Sequence, residues 1–394
     1  MFTQNNNCHN GTKSKIIIVL IGIFLLLSVF AEASEKSKQA NKSKFKIFVV
    51  SGYHLEYLWS QDTQKGVCAG LIEFGFLDNE EQAVEFTKKD FVESSSAVVK
   101  KTWMDTKRKN STSEIATATR RVVDEISRFT PDLILLGDDN AANYIGNQFI
   151  DTDIPVVFWG INGLPLKYGL LDSLKHPGHN VTGVYQAGYL KECLEFLKKV
   201  VPGIKTFAIL SDDSPTGRSK AKALENLCRT GQVSLKLVES VVTNSLSEWK
   251  SKALDLKDKV DAFFMLNHNS IKDHTGNPVD QLEIGAWYLR NIKIPECAHE
   301  KQFAIEGMLC VCDDSGYNQA YEAVKIAHRI LKNGKNPSGI PVKTPQRGHF
   351  IVNRERAEML GITVTAEMGV EEYIEKSLAL RKHPARKKHG SEAP

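Results

Sequence analysis

Three pairs of adjacent aspartates, Asp138-Asp139, Asp212-Asp213 and Asp313-Asp314, each follow a short apolar run and precede a segment with helical spacing. Carboxylates gathered from three strand ends onto one cleft would grip a ligand bearing an ammonium or several hydroxyls through charge-assisted hydrogen bonds. The competing use is local: an aspartate at a helix start accepts from free backbone N–H groups and complements the helix dipole. One aspartate of each pair is assigned to that capping role, which leaves Asp139, Asp213 and Asp314 for a ligand. Asn140 and Ser214 share the first two loops, and Asn162 and Asn267 bring amides from two further strand ends. Tyr53, Trp59, Trp159 and Tyr317 would supply the apolar walls of a small-molecule pocket. Trp159 is the foremost of these because it ends a strand just before Gly160, although packing in the core is the competing use of each ring.

Other chemistries find no support in the residues. There is no G-x-S-x-G elbow, P-loop, G-x-G-x-x-G or H-E-x-x-H, so no catalytic residue and no cofactor is expected. His268 and Asp313 would make an acid–base pair only if brought together, and nothing in their spacing does so. The aspartate loops lack the oxygen periodicity of a Ca²⁺ loop, and no metal is expected. A net charge of +4 over 394 residues is mild, and part of it sits in the tail Arg381–Gly390. Without a basic stripe in the interior, nucleic acid is not an expected partner. Lys107–Lys109 reads as a solvated face.

These residues need a scaffold that presents strand ends together. Residues 131–165 contain two apolar runs, Leu133–Leu136 and Val156–Trp159, separated by GDDNAANYIGNQF. Runs of that length closed by glycine and polar residues read as buried parallel strands, with Asp138 or Asp139 capping a helix that begins near Asn140. Before them come a strand at Phe45–Val50, a helical segment through Val67 and Leu71, a strand at Ala97–Trp103 and a helix over Ser113–Phe129. After them the alternation continues. Strands are predicted at Thr206–Leu210, Leu235–Val242, Ala262–Leu266 and Gly307–Val311, with helices at Lys191–Val201 and Ser247–Lys259 and one following Asp313-Asp314. That order implies doubly wound parallel sheets, whose ligands bind at the carboxyl ends of the strands.

The termini and cysteines set the compartment. Lys13 and Lys15 precede the apolar run Ile16–Ala31, and Ala31-Glu32-Ala33 follows, the pattern of a cleaved secretory signal. The run of about 16 residues is shorter than the roughly 20 a spanning helix needs, so an uncleaved anchor is the lesser reading. Residues 34–44 read as a polar linker and residues 380–394 as a disordered basic tail. Six cysteines remain beyond the signal. They match no zinc pattern, and they are expected to be mostly buried free thiols, with Cys297 and Cys310 or Cys312 the pair to test for a disulfide.

The landmarks together resemble one family. SGYH after the first strand, PDLILLG before an Asn-Ala-Ala helix, DIPVVFWGIN, HPGHNVTGV, VVPGIKTFAIL, IPVKTPQRG and VNRERAEMLGI occur in order over residues 45–365. The chain is similar to the ABC transporter substrate-binding family of type I periplasmic binding proteins. The resemblance implies an α/β fold of two Rossmann-like doubly wound lobes joined by a three-strand hinge. The crossings are expected near Gly163–Tyr168, Cys297–Gly307 and Gly334–His349. One lobe would then hold residues 45–163 and 305–335, the other 168–300 and 345–370. The implied function is a monomeric periplasmic receptor, not an enzyme, that captures a small molecule such as an amino acid and delivers it to an inner-membrane ABC permease. The alternative is a ligand-sensing subunit for a separate membrane signalling protein. The acidic strand-end loops depart from the hydroxyl and proline residues many members carry there, so the family's ligand contacts are not transferred to them.

Overall fold

The computed structural model describes Met1 and residues 44–384. The predicted signal, the linker apart from Lys44, and residues 385–394 lie outside them. Two sheets organise the described chain. The first runs in the order β2-β3-β1-β4-β5-β6, from Phe91–Glu93 (β2), Ala97–Trp103 (β3), Phe45–Ser51 (β1), Leu133–Gly137 (β4), Val156–Asn162 (β5) and Val181–Gln186 (β6). Only β2 is antiparallel to its neighbour.

The second sheet runs β13-β12-β11-β10-β9-β7-β8. Its strands are Thr206–Ser211 (β7), Lys236–Val242 (β8), Ala262–Met265 (β9), Glu296–Ala298 (β10), Cys310–Cys312 (β11), Phe350–Asn353 (β12) and Glu372–Ile374 (β13). Here the β11–β12 pair alone is antiparallel.

The strands are apolar on both faces because both faces are covered, as parallel sheets require. In the first sheet Val49, Leu135 and Val157 face the helices Leu58–Glu73 and Gly316–Leu331, packing with Leu71 and Val324. Their neighbours Phe48, Ile134 and Phe158 face the other way, onto Val122 and Ile126 of the helix Thr112–Phe129. The second sheet repeats the arrangement. Leu210 and Phe263 pack with Trp249 and Leu289, while Ile209 and Phe264 pack with Leu194 and Leu224 on the opposite face. Each such side chain contributes roughly 1.5–3 kcal/mol when fully buried. Helix Gly316–Leu331 lies so close to Leu58–Glu73 that a Cβ at Gly66 would come within 2.2 Å of the Tyr317 carbonyl oxygen. Glycine is required there, and alanine would push the helices apart.

The doubly wound two-lobed fold agrees with the expectation, but two of the three crossings lie elsewhere. β6 pairs with β5, so the chain stays in the first sheet past Gly163–Tyr168 and leaves it only between Gln186 and the helix Leu190–Val200. β10 and β11 are neighbours, with Cys297 in register with Cys310, so residues 297–307 belong wholly to the second lobe. The return crossing is Asp313–Ser315. The last falls within the expected span, between Lys343, which bridges Val184, and His349. The expected tail also starts too early. Leu378–Lys382 is a helix beside Gln281–Asn291, and Arg290 donates to the His383 carbonyl. The six described cysteines are free thiols, and all but Cys228 are buried.

Candidate functional site

Loops from the carboxyl ends of strands in both sheets meet at the lobe junction and enclose two cavities. The smaller, about 380 Å³, is lined by Tyr53, Asp139, Asn140 and Asn162 from the first lobe and by Asp213, Ser214 and Ser270 from the second. The larger, about 920 Å³, is lined by His54, Tyr57 and Gln61 on one side and by Asn269, Asp280 and Lys382 on the other. Lys107 lines both. Gln302 Nε2 donates to the Tyr57 hydroxyl at 3.2 Å, tying the lobes together in the floor of the junction.

The aspartate pairs do not cap the helices. The cap of Pro215–Arg229 is Ser214, which accepts from Gly217 N–H at 3.1 Å, and the cap of Gly316–Leu331 is Ser315, which accepts from Asn318 N–H at 3.2 Å. The short helix Asp138–Asn140 has no side-chain cap. A serine hydroxyl reaches the third backbone N–H from the cap position, which leaves the aspartates before it free for other partners.

Those partners differ sharply. Asp138 sits at φ 75, a left-handed conformation costly for a residue with a Cβ, and is almost completely buried. Its Oδ1 accepts from Trp59 Nε1–H at 2.7 Å, and a Cβ at Gly160 would approach that oxygen to 3.1 Å. Burial pushes its carboxyl up to about 7. Asp139 is the hub of the adjacent loop, accepting from Asn162 Nδ2 at 2.7 Å, the Tyr168 hydroxyl at 2.6 Å and Lys167 Nζ at 3.2 Å. Burial, and secondarily Asp139, raises the Tyr168 phenol.

In the second lobe Asp212 accepts from Ser214 Oγ at 2.6 Å and Ser270 N at 3.0 Å, whereas Asp213 is exposed and pairs with Arg218 at 2.6 Å. Asp313 accepts from Lys301 N–H at 2.8 Å. Asp314 accepts from Gly188 N–H at 2.7 Å, with Lys220 Nζ 3.8 Å away, so it fastens one crossing to another. Burial raises the carboxyls of both Asp313 and Asp314.

Of the candidates named from sequence, Tyr53, Asp139, Asn140, Asn162, Asp213 and Ser214 come together around the smaller cavity. Asn267 is buried, with its Oδ1 unpartnered among the described residues. Trp59 supports Asp138 from beneath, and Asp314 serves the hinge. Trp159 is in the core of the first sheet, its ring against Gly137, where a Cβ would come within 2.4 Å of Cζ2. Tyr317 lies parallel to Tyr321 on the exposed side of its helix, outside the linings of both cavities.

The sequence also places Tyr57 in the loop after the first strand and Asn269 in the polar loop after Ala262–Leu266, and both line the larger cavity; Thr106, Lys107, Tyr168 and Gln302 were missed. Thr106 and Lys107 carried a usable signal, since they lie just past the end of the predicted strand Ala97–Trp103. Gln302 carried none.

A family model described as ABC transporter substrate binding protein matches residues 93–373. A tyrosine-binding protein from Clostridioides difficile (strain R20291) is 25% identical over 209 residues, 53% of this chain and 57% of that relative. The match thus spans little more than half of the relative's length. Two solved structures share the fold. One is a domain from Streptococcus pneumonia in complex with L-Trp (TM-score 0.64, 21% identity, 84% of this chain and 100% of that one). The other is the ligand-free, open form of a substrate-binding protein with adhesive properties from Clostridium difficile (TM-score 0.63, 20% identity, 84% and 99%).

Proposed function

The chain belongs to the ABC transporter substrate-binding protein family, and from that premise we propose that it captures an amino acid or related polar solute between its lobes. In this reading it works outside the cytoplasm and hands the solute to the permease of an ABC importer, which recognises the surface made when the lobes close. The observation that carries the reading is a set of unused hydrogen-bonding groups at the junction. Asn162 Oδ1, Asn267 Oδ1, Asn269 Oδ1 and Gln302 Oε1 are buried without a partner among the described residues. An unsatisfied buried acceptor costs about 1–3 kcal/mol, and a ligand that brings N–H or O–H donors would satisfy such groups. Asn162 lines the smaller cavity and Asn269 the larger, while Tyr53 and Tyr57 offer ring surface to the apolar part of a solute.

Among relatives, one protein is named for binding tyrosine and another was solved with L-Trp, which favours an amino acid over a sugar. The leader at Lys13–Ala33 supports export, and among the described residues no helix is long and apolar enough to cross a membrane. A thermal-shift screen of the chain from Phe45 onward against amino acids, amines, sugars and purines tests the proposal. A solute at about 100 times its Kd adds about 2.7 kcal/mol, which raises the melting temperature by several degrees. Stabilisation by sugars or purines but by no amino acid or amine would overturn it.

A further inference from the structure

Among the described residues, Lys107 is the one cation that lines both cavities. Its Nζ stands 4.5 Å from the Tyr53 ring centre and 5.5 Å from that of Tyr57, and the two rings pack edge to face with centres 5.5 Å apart. Both rings are almost fully buried, yet Lys107 itself is only half-buried. Among the described residues Lys107 makes no ion pair and no hydrogen bond. The attractions visible on its head group are the two ring faces and the field of the buried Asp138 carboxylate behind them. A cation against tyrosine faces gains roughly 0.5–1 kcal/mol when exposed and about 2 when desolvated. An ammonium with no carboxylate contact, set against an aromatic corner in the middle of a ligand cleft, occupies the position a ligand's own ammonium would take.

We propose that the Tyr53–Tyr57 corner is the ammonium subsite of the cleft and that Lys107 is its resident competitor, displaced by the amine of the solute. The proposal rests on the reading that solute binds between the lobes, and it narrows the solute to one with a cationic nitrogen. Lys107 can leave because its loop is anchored on either side of it. Thr106 donates to the Gly52 carbonyl at 2.6 Å, and Arg108 pairs with Asp105 at 2.7 Å, so the side chain swings without moving the backbone. Its departure joins the two cavities, giving one solute access to Asn162 on one side and Asn269 on the other. The resident lysine sets a selectivity threshold: a solute without an amine has nothing to replace the lost ring contacts.

The test compares wild type with Lys107→Met by calorimetric titration. The probes are L-tyrosine, tyramine, tetramethylammonium and 3-(4-hydroxyphenyl)propionate, the last lacking the amine. The amine and ammonium probes are expected to bind Lys107→Met about tenfold tighter, the size of one partly desolvated cation–π contact. The des-amino acid should gain nothing. Lys107→Arg should match wild type, and Lys109→Met, which removes a neighbouring exposed charge, should leave affinities unchanged. Adding Tyr57→Leu to Lys107→Met should erase the gain. Lys107→Gln serves as the neutral variant should the methionine form prove unstable.

The proposal is overturned if the neutral variant binds amines no tighter than wild type, if the des-amino acid gains equally, or if Lys109→Met has the same effect. A gain for tetramethylammonium in Lys107→Met, with no amino acid binding either protein, would sustain the subsite while refuting the amino-acid function.

Discussion

The two rims of the cleft spend their carboxylates differently. On the second rim Asp212, Asp313 and Asp314 are consumed by backbone N–H groups, a serine and a lysine of the same scaffold. On the first rim Asp139 is likewise consumed, by Asn162, Tyr168 and Lys167, but the Asp138 carboxyl has, among the described residues, a single hydrogen bond, from Trp59, with a strained backbone and a pKa raised to about 7. An Asp-Asp pair after a strand is therefore not one motif with one use. Where the following helix already has a serine cap and a crossing must be fastened, the carboxylate is structural. Where it is buried beside aromatic rings with no cation in contact, it is a charge waiting for a partner.

The contrast is open to attack by mutation. The largest effect is expected at Asp314, where alanine leaves Lys220 buried without its counter-charge and Gly188 N–H without its acceptor. Breaking such a pair should cost about 3 kcal/mol, seen as a lower urea midpoint, with the solute's affinity for the folded protein little changed. If Asp314→Ala instead abolishes binding while stability holds, the second rim is the binding rim and the contrast fails.

Asp138→Asn should do the reverse. Asparagine tolerates the left-handed conformation and removes a buried charge, so stability should hold or rise, while amine-bearing solutes should bind about tenfold more weakly. The pH dependence sharpens this. An acid whose folded pKa is raised contributes most favourably below its unfolded value near 3.8, and that contribution is lost as pH rises through about 7. Between pH 5 and 8 wild type should therefore lose stability relative to Asp138→Asn, by about 2 kcal/mol. Amine affinity should increase over the same range as the carboxylate ionises. Melting curves of both proteins at the two pH values decide the matter, and parallel curves would remove Asp138 from the account.

Asp213→Asn is expected to do least. The side chain is exposed and its bond is a surface pair with Arg218, so changes in stability and affinity should stay within about 0.5 kcal/mol. A tenfold loss of affinity there would bring the smaller cavity's second-lobe wall into the site.

Much of the scaffold was legible because each signal is local. Apolar runs closed by glycine or polar residues marked β1, β4, β5, β7 and β9, and residues at their ends, Tyr53, Asp139, Asn140, Asn162 and Ser214, do line the smaller cavity. The misplacements have a common physical cause. Trp159 belongs to a strand buried on both faces, so hydrophobicity could not tell which side its ring took. The segment VTGVYQ had the composition of a strand, but its pairing with β5 is a long-range fact, and the first crossing moved with it. Lys107 sat in a charged run that reads as solvated, and only folding carries its head group over Tyr53 and Tyr57.

Sequence alone determined the alternation of strands and helices, the family and the set of polar strand ends, because hydrophobic period and glycine or polar stops act within a few residues. Tertiary structure decided which carboxylates were spent inside the scaffold and which was buried beside the aromatic rings with a single bond from Trp59. That depends on the backbone N–H groups, lysines and rings that other segments bring within hydrogen-bond reach.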